Sequence, residues 1–461
     1  MIELATVDVP EFGAAPFCPE IPTALYESRL KAACSRLRQE ELDCFVVYAD
    51  REHFANLSYL TGFDPRFEEA LLLLDGAGRR TLVVGNECMG FLPDPQLGCE
   101  VVLFQEFSLL GQQRGDSRPL RDILASCGIK KGSRVGCVGW KYFEGTLIGG
   151  GPNACDLPAY LVDLLRDVTG DSRKVVNATA VFMNPADGLR TTCEPEQIAQ
   201  FEVASIFTSE GVRTVLKHLG EGVEEQSLEH LLHFAGLPLS CHRMIGFGAK
   251  ARRGLASPSP NRAGLGDPFT VGFGLVGALT CRAGCIARGP ADLPAGDRQF
   301  FADFAANYFD VVCTWYEQVR VGAVGSEVYS AVEATCDPRL YRFAVNPGHL
   351  LHLDEWLHSP FAAQSPYTLR SGMAIQMDII PVSAGPFFCM NAEDGIVLAD
   401  EDLRRQLAEQ FPACWQRIEA RRLFMRQTIG IDLDESVLPL SNIPGWLPPY
   451  AMSLEKVFVK R

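Results

Sequence analysis

The chain has 461 residues, 47% of them hydrophobic and 21% charged, an ordinary globular composition with enough apolar material for two or three domains. Its formal charge of −15 argues against nucleic acid or an anionic membrane as a partner, and the one short basic run, Lys250-Ala251-Arg252-Arg253, is too small to offset it. No apolar run approaches the roughly 18 residues needed to span a bilayer, and Met1-Ile2-Glu3-Leu4 carries no signal-peptide core, so a cytoplasmic protein is expected.

In chain order, Leu30, Ala33 and Leu37 share one face of a helix, and Cys44-Phe45-Val46-Val47-Tyr48 and Ala70-Leu71-Leu72-Leu73-Leu74 follow as buried strands. Apolar runs at Thr81-Leu82-Val83-Val84 and Val101-Val102-Leu103-Phe104 continue the alternation with helices, an α/β pattern with a mixed sheet. A boundary falls near 185–196, and a long helical period then runs from Glu196 to Leu219. Thr192 or Cys193 is expected to cap that helix, with Pro195 and glutamates in the first turn where the dipole favours them. Past residue 400, segments 403–407 and 417–422 read as helices, and 438–444 as an ordered, proline-punctuated wrap. The 16 cysteines are scattered without Cys-x-x-Cys pairs, which in a reducing compartment means free thiols, most of them buried as small hydrophobes.

Two sets of residues carry a family resemblance. Asn346-Pro347-Gly348-His349, Gly372-Met373 and the acidic pair Glu393-Asp394 resemble motifs of the pita-bread fold family, which contains methionine aminopeptidase, prolidase, aminopeptidase P and creatinase. Asn56-Leu57-Ser58-Tyr59-Leu60-Thr61-Gly62-Phe63 resembles a passage in the small N-terminal domain of prolidase, aminopeptidase P and creatinase. The resemblance implies an α/β and α+β protein. A creatinase-like mixed-sheet domain would span 1–190, and a pita-bread catalytic domain with its C-terminal wrap 191–461. It also implies a homodimer acting on a small-molecule substrate.

Metallopeptidases of that family hold two metal ions with side chains in the order Asp, Asp, His, Glu, Glu. The last three places fall on His349, Asp378 and Glu393, whereas Gly272-Phe273-Gly274 and Cys281-Arg282 stand where the first two acids belong. Hard divalent cations need several oxygen ligands, and a metal pair needs bridging carboxylates. Asp378 is also one methylene shorter than the family's Glu. The resemblance therefore implies an enzyme working without a cofactor, with a single weakly bound divalent metal at His349, Asp378 and Glu393 as the alternative.

Without metals, His349 could act as general acid or base, or bind a substrate carboxylate when protonated. Asp354 and Glu355 follow it at a spacing similar to the dimethylsulfoniopropionate lyases, in which an acid shortly after the histidine abstracts a proton, so Glu355 joins Asp378 and Glu393 as a candidate catalytic residue. His352 and His358 read as surface histidines of the same loop, His358 remaining a candidate substrate contact. The place of creatinase's catalytic histidine falls on Ala256, which leaves His242 as the nearest pocket histidine. Arg66 resembles the arginine that creatinase reaches across its dimer interface to an anionic substrate group; a surface salt bridge to Glu68 or Glu69 is the plainer alternative. Cys281 is either a nucleophile or an inert buried thiol, and Arg282 is a candidate fixed cation in place of the metal.

Three functions stay open on these residues. The first is a metal-independent, creatinase-like hydrolase cleaving a C–N bond in a small charged metabolite by acid–base chemistry. The second is a metal-dependent Xaa-Pro peptidase or dimethylsulfoniopropionate-lyase-like enzyme with a rebuilt site. The third is a noncatalytic pita-bread binding protein.

Overall fold

Leu30, Ala33 and Leu37 do line one buried face of a helix, Thr23–Gln39, the first element of a unit spanning Ile21–Arg190. The computed structural model describes residues 1–15, 17–145, 147–383 and 390–461. In this first unit six strands form a mixed sheet in the order Glu100–Leu103, Arg80–Val84, Ala70–Asp75, Cys44–Ala49, Val135–Val138, Val175–Asn177. The three strands between 44 and 84 pair antiparallel, and the others add on in parallel. Cys44–Ala49 is buried at every position, as an interior strand with both faces covered should be. The family-like passage forms the short helix Ala55–Thr61, where buried Asn56 donates to the Gly139 carbonyl (2.6 Å) and accepts from Arg190 (2.6 Å).

The second unit comprises Thr191–Arg461 together with Met1–Glu20. This corrects the expectation that the chain's first residues belong to the N-terminal domain. Ile2–Thr6 pairs antiparallel with Lys456–Lys460, Leu4 opposite Phe458, so the two chain ends close one ribbon. Helix Pro195–Lys217 is preceded by Glu194, which makes no side-chain cap bond. The expected cap residue Cys193 instead donates its backbone N–H to the Gly372 carbonyl (2.7 Å), drawn away by tertiary pairing.

The main sheet of this unit is antiparallel throughout, in the order His349–Leu350, Ala374–Asp378, Asn391–Leu398, Ala278–Cys285, Pro268–Leu275, Met244–Phe247. Val437–Pro439 adds onto Asn391–Leu398, which anchors the proline-punctuated wrap; Leu438, Leu440, Ile443 and Trp446 are buried. The two late helices are Glu401–Gln410, capped by Asp400, and Pro412–Phe424. Among the described residues no helix is long and apolar enough to cross a membrane.

Deleting residues 1–8 removes the Ile2–Thr6 pairing. The unfolding temperature of the second unit should fall, by about 2–4 °C per kcal/mol lost in a domain of this size. Calorimetry on the truncated chain checks this, and an unchanged transition would separate the N-terminal strand from that unit.

Candidate active site

Directly opposed residues in an antiparallel sheet point to the same face. Register places Gly272 opposite Cys281, Cys281 opposite Glu393, and Glu393 opposite Asp378, a row across four strands. His349 lies opposite Gln376, two residues before Asp378 and so on the same face. Donor atoms of His349, Asp378 and Glu393 all fall within 4.8 Å of one another. All three side chains are buried.

His349 is aimed by a turn that only glycine fits. Gly348 has φ +105°, and a Cβ there would stand 2.8 Å from the Gln376 carbonyl oxygen and 3.2 Å from the Trp315 indole. Trp315 Nε1 donates to the Pro347 carbonyl (2.7 Å) and Ser359 Oγ to the Gly348 carbonyl (2.7 Å), fixing both sides of the turn. The imidazole then sets Nδ1 toward the Leu350 carbonyl (3.2 Å) and Nε2 3.1 Å from Glu355 Oε1 and 3.9 Å from Glu393 Oε1. Trp356 stacks on it, with centroids 4.1 Å apart and planes at 21°.

Electrostatics follow from burial around a single imidazole. Burial opposes protonation of His349, but the carboxylates of Glu355 and Asp378 outweigh it and raise its pKa. Burial lifts Asp378 to about 6, with His349 pulling down and Glu355 pushing up. Glu393 is raised well above its ordinary value by burial, then by Asp378 and Glu355. Its carboxylate accepts from Gln376 Nε2 (3.2 Å), which also donates to the Leu279 carbonyl (2.6 Å).

The face of the sheet over Gly272 and Gly274, where the resemblance puts the first of the two acids, is filled by other side chains. A Cβ on Gly272 would lie 2.7 Å from Met244 Cε and 2.8 Å from Cys281 Sγ. One on Gly274 would lie 2.5 Å from Ser240 Oγ and 2.7 Å from Cys241 Sγ. Met244, Leu279 and Cys281 form a small apolar cluster, with Cys241 against it. Burial and then Glu393 hold the Cys281 thiol far up, and burial with Glu355 and Glu393 raises Cys241 to about 12, so both are neutral thiols rather than nucleophiles. A metal pair does not fit this wall. Among the described residues these three donors could hold one ion, and Asp378 Oδ1 is buried there with no hydrogen-bond partner among them.

Other sequence candidates lie elsewhere. Arg282, adjacent to Cys281, must face the opposite side of the sheet, and it is buried there. It donates to Asp394 (2.7 Å) and to the carbonyls of Trp446 (2.8 Å), Cys281 (2.7 Å) and Ile443 (2.5 Å). The expected substrate anchor is therefore a structural clamp binding the C-terminal wrap to the sheet. His242 is exposed, its Nε2 2.6 Å from the Leu255 carbonyl. His352, expected at the surface, is fully buried edge-on to Phe201 because the loop folds inward. His358 is half-buried against Tyr367, its carbonyl accepting from Leu350 N (2.7 Å), outside the clustered donors.

Arg66, in the first unit, is exposed at φ +61° and pairs with Asp64 (3.5 Å). Glu68 and Glu69, its expected alternatives, are used by the Glu87 and Cys88 amides and by the Tyr48 and Tyr160 hydroxyls. Four site residues escaped sequence reasoning: Cys241, Met244, Gln376 and Trp356. Gln376 had a signal, its period-two spacing from Asp378. Glycines inside a buried strand also signal close approach by something else, but do not say by what.

No family model and no curated protein sequence matches the chain. Solved structures do. It is similar to dipeptidase PepE from Mycobacterium ulcerans (18% identity, TM-score 0.63, covering 82% of this chain and 95% of that one). It is similar to the prolidase from Pyrococcus horikoshii OT3 (15%, 0.62, 81% and 95%) and to aminopeptidase PepP from Pseudomonas aeruginosa (13%, 0.61, 95% and 98%). The chain thus has the pita-bread fold of the creatinase and aminopeptidase P fold family, in the mixed α/β form expected from its motifs.

Two substitutions separate packing from chemistry. Gly272→Ala should cost about 1–3 kcal/mol in chemical denaturation, the penalty of overpacking a filled core, and Met244→Ala in the same chain should recover part of it. Arg282→Met leaves Asp394 buried without its partner and should cost about 3–5 kcal/mol; an arginine that only bound substrate would leave stability unchanged and raise KM.

Proposed function

We propose that this chain is a hydrolase of a C–N bond in a small charged, non-peptide metabolite, working by acid–base chemistry at His349, Glu355, Asp378 and Glu393 without a metal pair. The observation that carries the reading is the packing of Met244 and Cys281 over Gly272 and of Ser240 and Cys241 over Gly274, where a ligand carboxylate would need room. C–N hydrolysis is drawn from neighbours named as prolidase, dipeptidase and X-Pro aminopeptidase. A cytoplasmic homodimer belongs to the same reading.

Glu355 is the most exposed carboxylate of the set, with 28% of its side chain accessible, against 4% for Glu393. It takes a proton from the attacking water. His349, held between Glu355 and the Leu350 carbonyl, delivers a proton to the leaving nitrogen, while Asp378 and Gln376-anchored Glu393 orient the reacting carbon. Water contributes the hydroxyl to carbon and the hydrogen to nitrogen, so nothing else is consumed.

A second reading, a peptidase or lyase using one divalent ion, is favoured by the clustered donors and by Asp378 Oδ1. His349, Asp378 and Glu393 would hold that ion, which would supply Lewis-acid polarisation of a carbonyl or of water.

Chelator-treated protein should turn over members of a panel of amidino, guanidino and amide compounds, and His349→Ala and Glu355→Gln should each lower kcat by about 10²-fold or more. Activity that disappears on chelation and returns with a divalent ion would replace this reading with the second.

A further inference from the structure

In the first unit the chain leaves strand Val135–Val138 at Gly139 and returns to helix Ala159–Thr169 with a thiol on either side of the crossing. Cys137, in the strand, is fully buried, and Cys155, on the returning segment, is half-buried and packs against the same core cluster. The Cys137 S–H donates a hydrogen bond to Cys155 Sγ. Other ties hold the two sides together whether or not the sulfurs are joined. Asn177, opposite Cys137 in the parallel pairing, donates Nδ2 to the Lys141 carbonyl (3.0 Å) and the Ala154 carbonyl (3.0 Å). The Asp156 carboxylate accepts from the Trp140 amide (2.7 Å) and the Lys141 amide (2.8 Å).

The two thiols differ in character. The hydrogen bond from Cys137 holds Cys155 below its ordinary pKa against burial, with the Arg166 guanidinium helping and Asp156 opposing. That same bond, followed by burial, holds Cys137 far up. Arg166 donates Nη2 to the Asn153 carbonyl (3.1 Å), while its Nε is buried with no hydrogen-bond partner among the described residues. By contrast, Cys44, in the same core as Cys127, donates its thiol to the Phe45 carbonyl (3.2 Å), and burial pushes its pKa up. A partly accessible thiolate with a second thiol already pointed at it is the layout of an oxidisable pair.

We propose that Cys137 and Cys155 form a reversible dithiol site that a peroxide oxidises to a disulfide, with Cys155 as the attacking thiolate and Cys137 as the resolving thiol. Cys155 Sγ attacks one peroxide oxygen and breaks the O–O bond, which gives a sulfenic acid and a hydroxide that takes up a proton. Cys137 then loses its proton and attacks Cys155 Sγ, forming the S–S bond and expelling the sulfenic oxygen as water. Two thiols and one hydrogen peroxide thus become one disulfide and two waters, and exchange with an external dithiol restores the pair. Because Asn177 and Asp156 already hold the two sides, the second step needs no further ordering of the chain and outruns oxidation to the sulfinic acid. Transient disulfides of this kind suit a reducing compartment. The site lies wholly in the first unit and is independent of the hydrolase reading.

The test is treatment of the reduced full chain with about one equivalent of hydrogen peroxide, then alkylation, digestion and peptide mass spectrometry. The linked Cys137–Cys155 peptide should be the main oxidation product and should disappear on adding dithiothreitol. Cys137→Ser should leave Cys155 as a sulfenic acid that dimedone traps, and Cys155→Ser should give neither product. Arg166→Met, with circular dichroism like the wild type, should slow Cys155 oxidation by about tenfold and move the pH midpoint of its alkylation by iodoacetamide upward, a shift that a packing defect alone would not produce. The wild-type peptide map decides the matter even where the Cys137 variant fails to fold. Oxidation of other cysteines ahead of this pair, Cys155 reaching the sulfinic acid while Cys137 stays reduced, or Cys155 alkylating no faster than Cys18 would overturn the proposal.

Discussion

Strand register is the constraint on which this site depends. Because opposed residues of an antiparallel sheet share a face and neighbours in sequence do not, one row of pairings sorts the chemistry of the whole domain. Gly272, Cys281, Glu393 and Asp378 are sent to one side, Arg282 and Asp394 to the other. The first side is a buried acid–base cluster organised by one histidine. The second is a charged clamp that joins carbonyls of the sheet to those of Ile443 and Trp446 in the C-terminal segment. A slip of one residue would exchange these roles.

The same row accounts for what packs over the glycines of strand Pro268–Leu275. A glycine in a fully buried strand leaves a gap unless a neighbour enters it, and protein interiors tolerate few gaps. Met244, Cys281, Ser240 and Cys241 close those over Gly272 and Gly274. Burial raises Glu393 and Asp378 above their ordinary pKa values, whereas the hydrogen bonds of Cys281 and Gln376 pull Glu393 the other way. Glycine at 272 and 274 and the side chains packed over them are thus one arrangement, beside which Asp378, Glu393 and Glu355 gather around His349.

Much of this was legible in the chain, for physical reasons that differ by residue. His349 on its Gly-His turn, Asp378 after the Gly-Met turn and Glu393 in the acidic pair were picked out by their resemblance to family motifs, and the structure brings their donor atoms within 4.8 Å of one another. Arg282 was misjudged because its neighbour Cys281 drew attention to the site, although alternation alone forbids both from facing it. His352 was read as solvated because it is polar, and only the inward fold of its loop against Phe201 shows otherwise. Met244 and Cys241 reach the site through the pairing of Met244 with Gly272 and the packing around Gly274, long-range facts that no local period encodes. The N-terminal strand was misplaced for the same reason, since its partner lies at the other end of the chain.

Metal content bears most directly on the account, because side chains packed over Gly272 and Gly274 leave no room there for ligand carboxylates, which makes a stoichiometric prediction. Plasma mass spectrometry of the purified chain, dialysed with and without Mn, Co, Zn and Fe, should find less than about one-tenth of an equivalent under every condition, since one imidazole and two carboxyls beside an apolar wall bind a divalent ion weakly. Two equivalents of any ion would contradict the packing argument outright, and one tightly held equivalent would return Asp378 and Glu393 to the role of ligands.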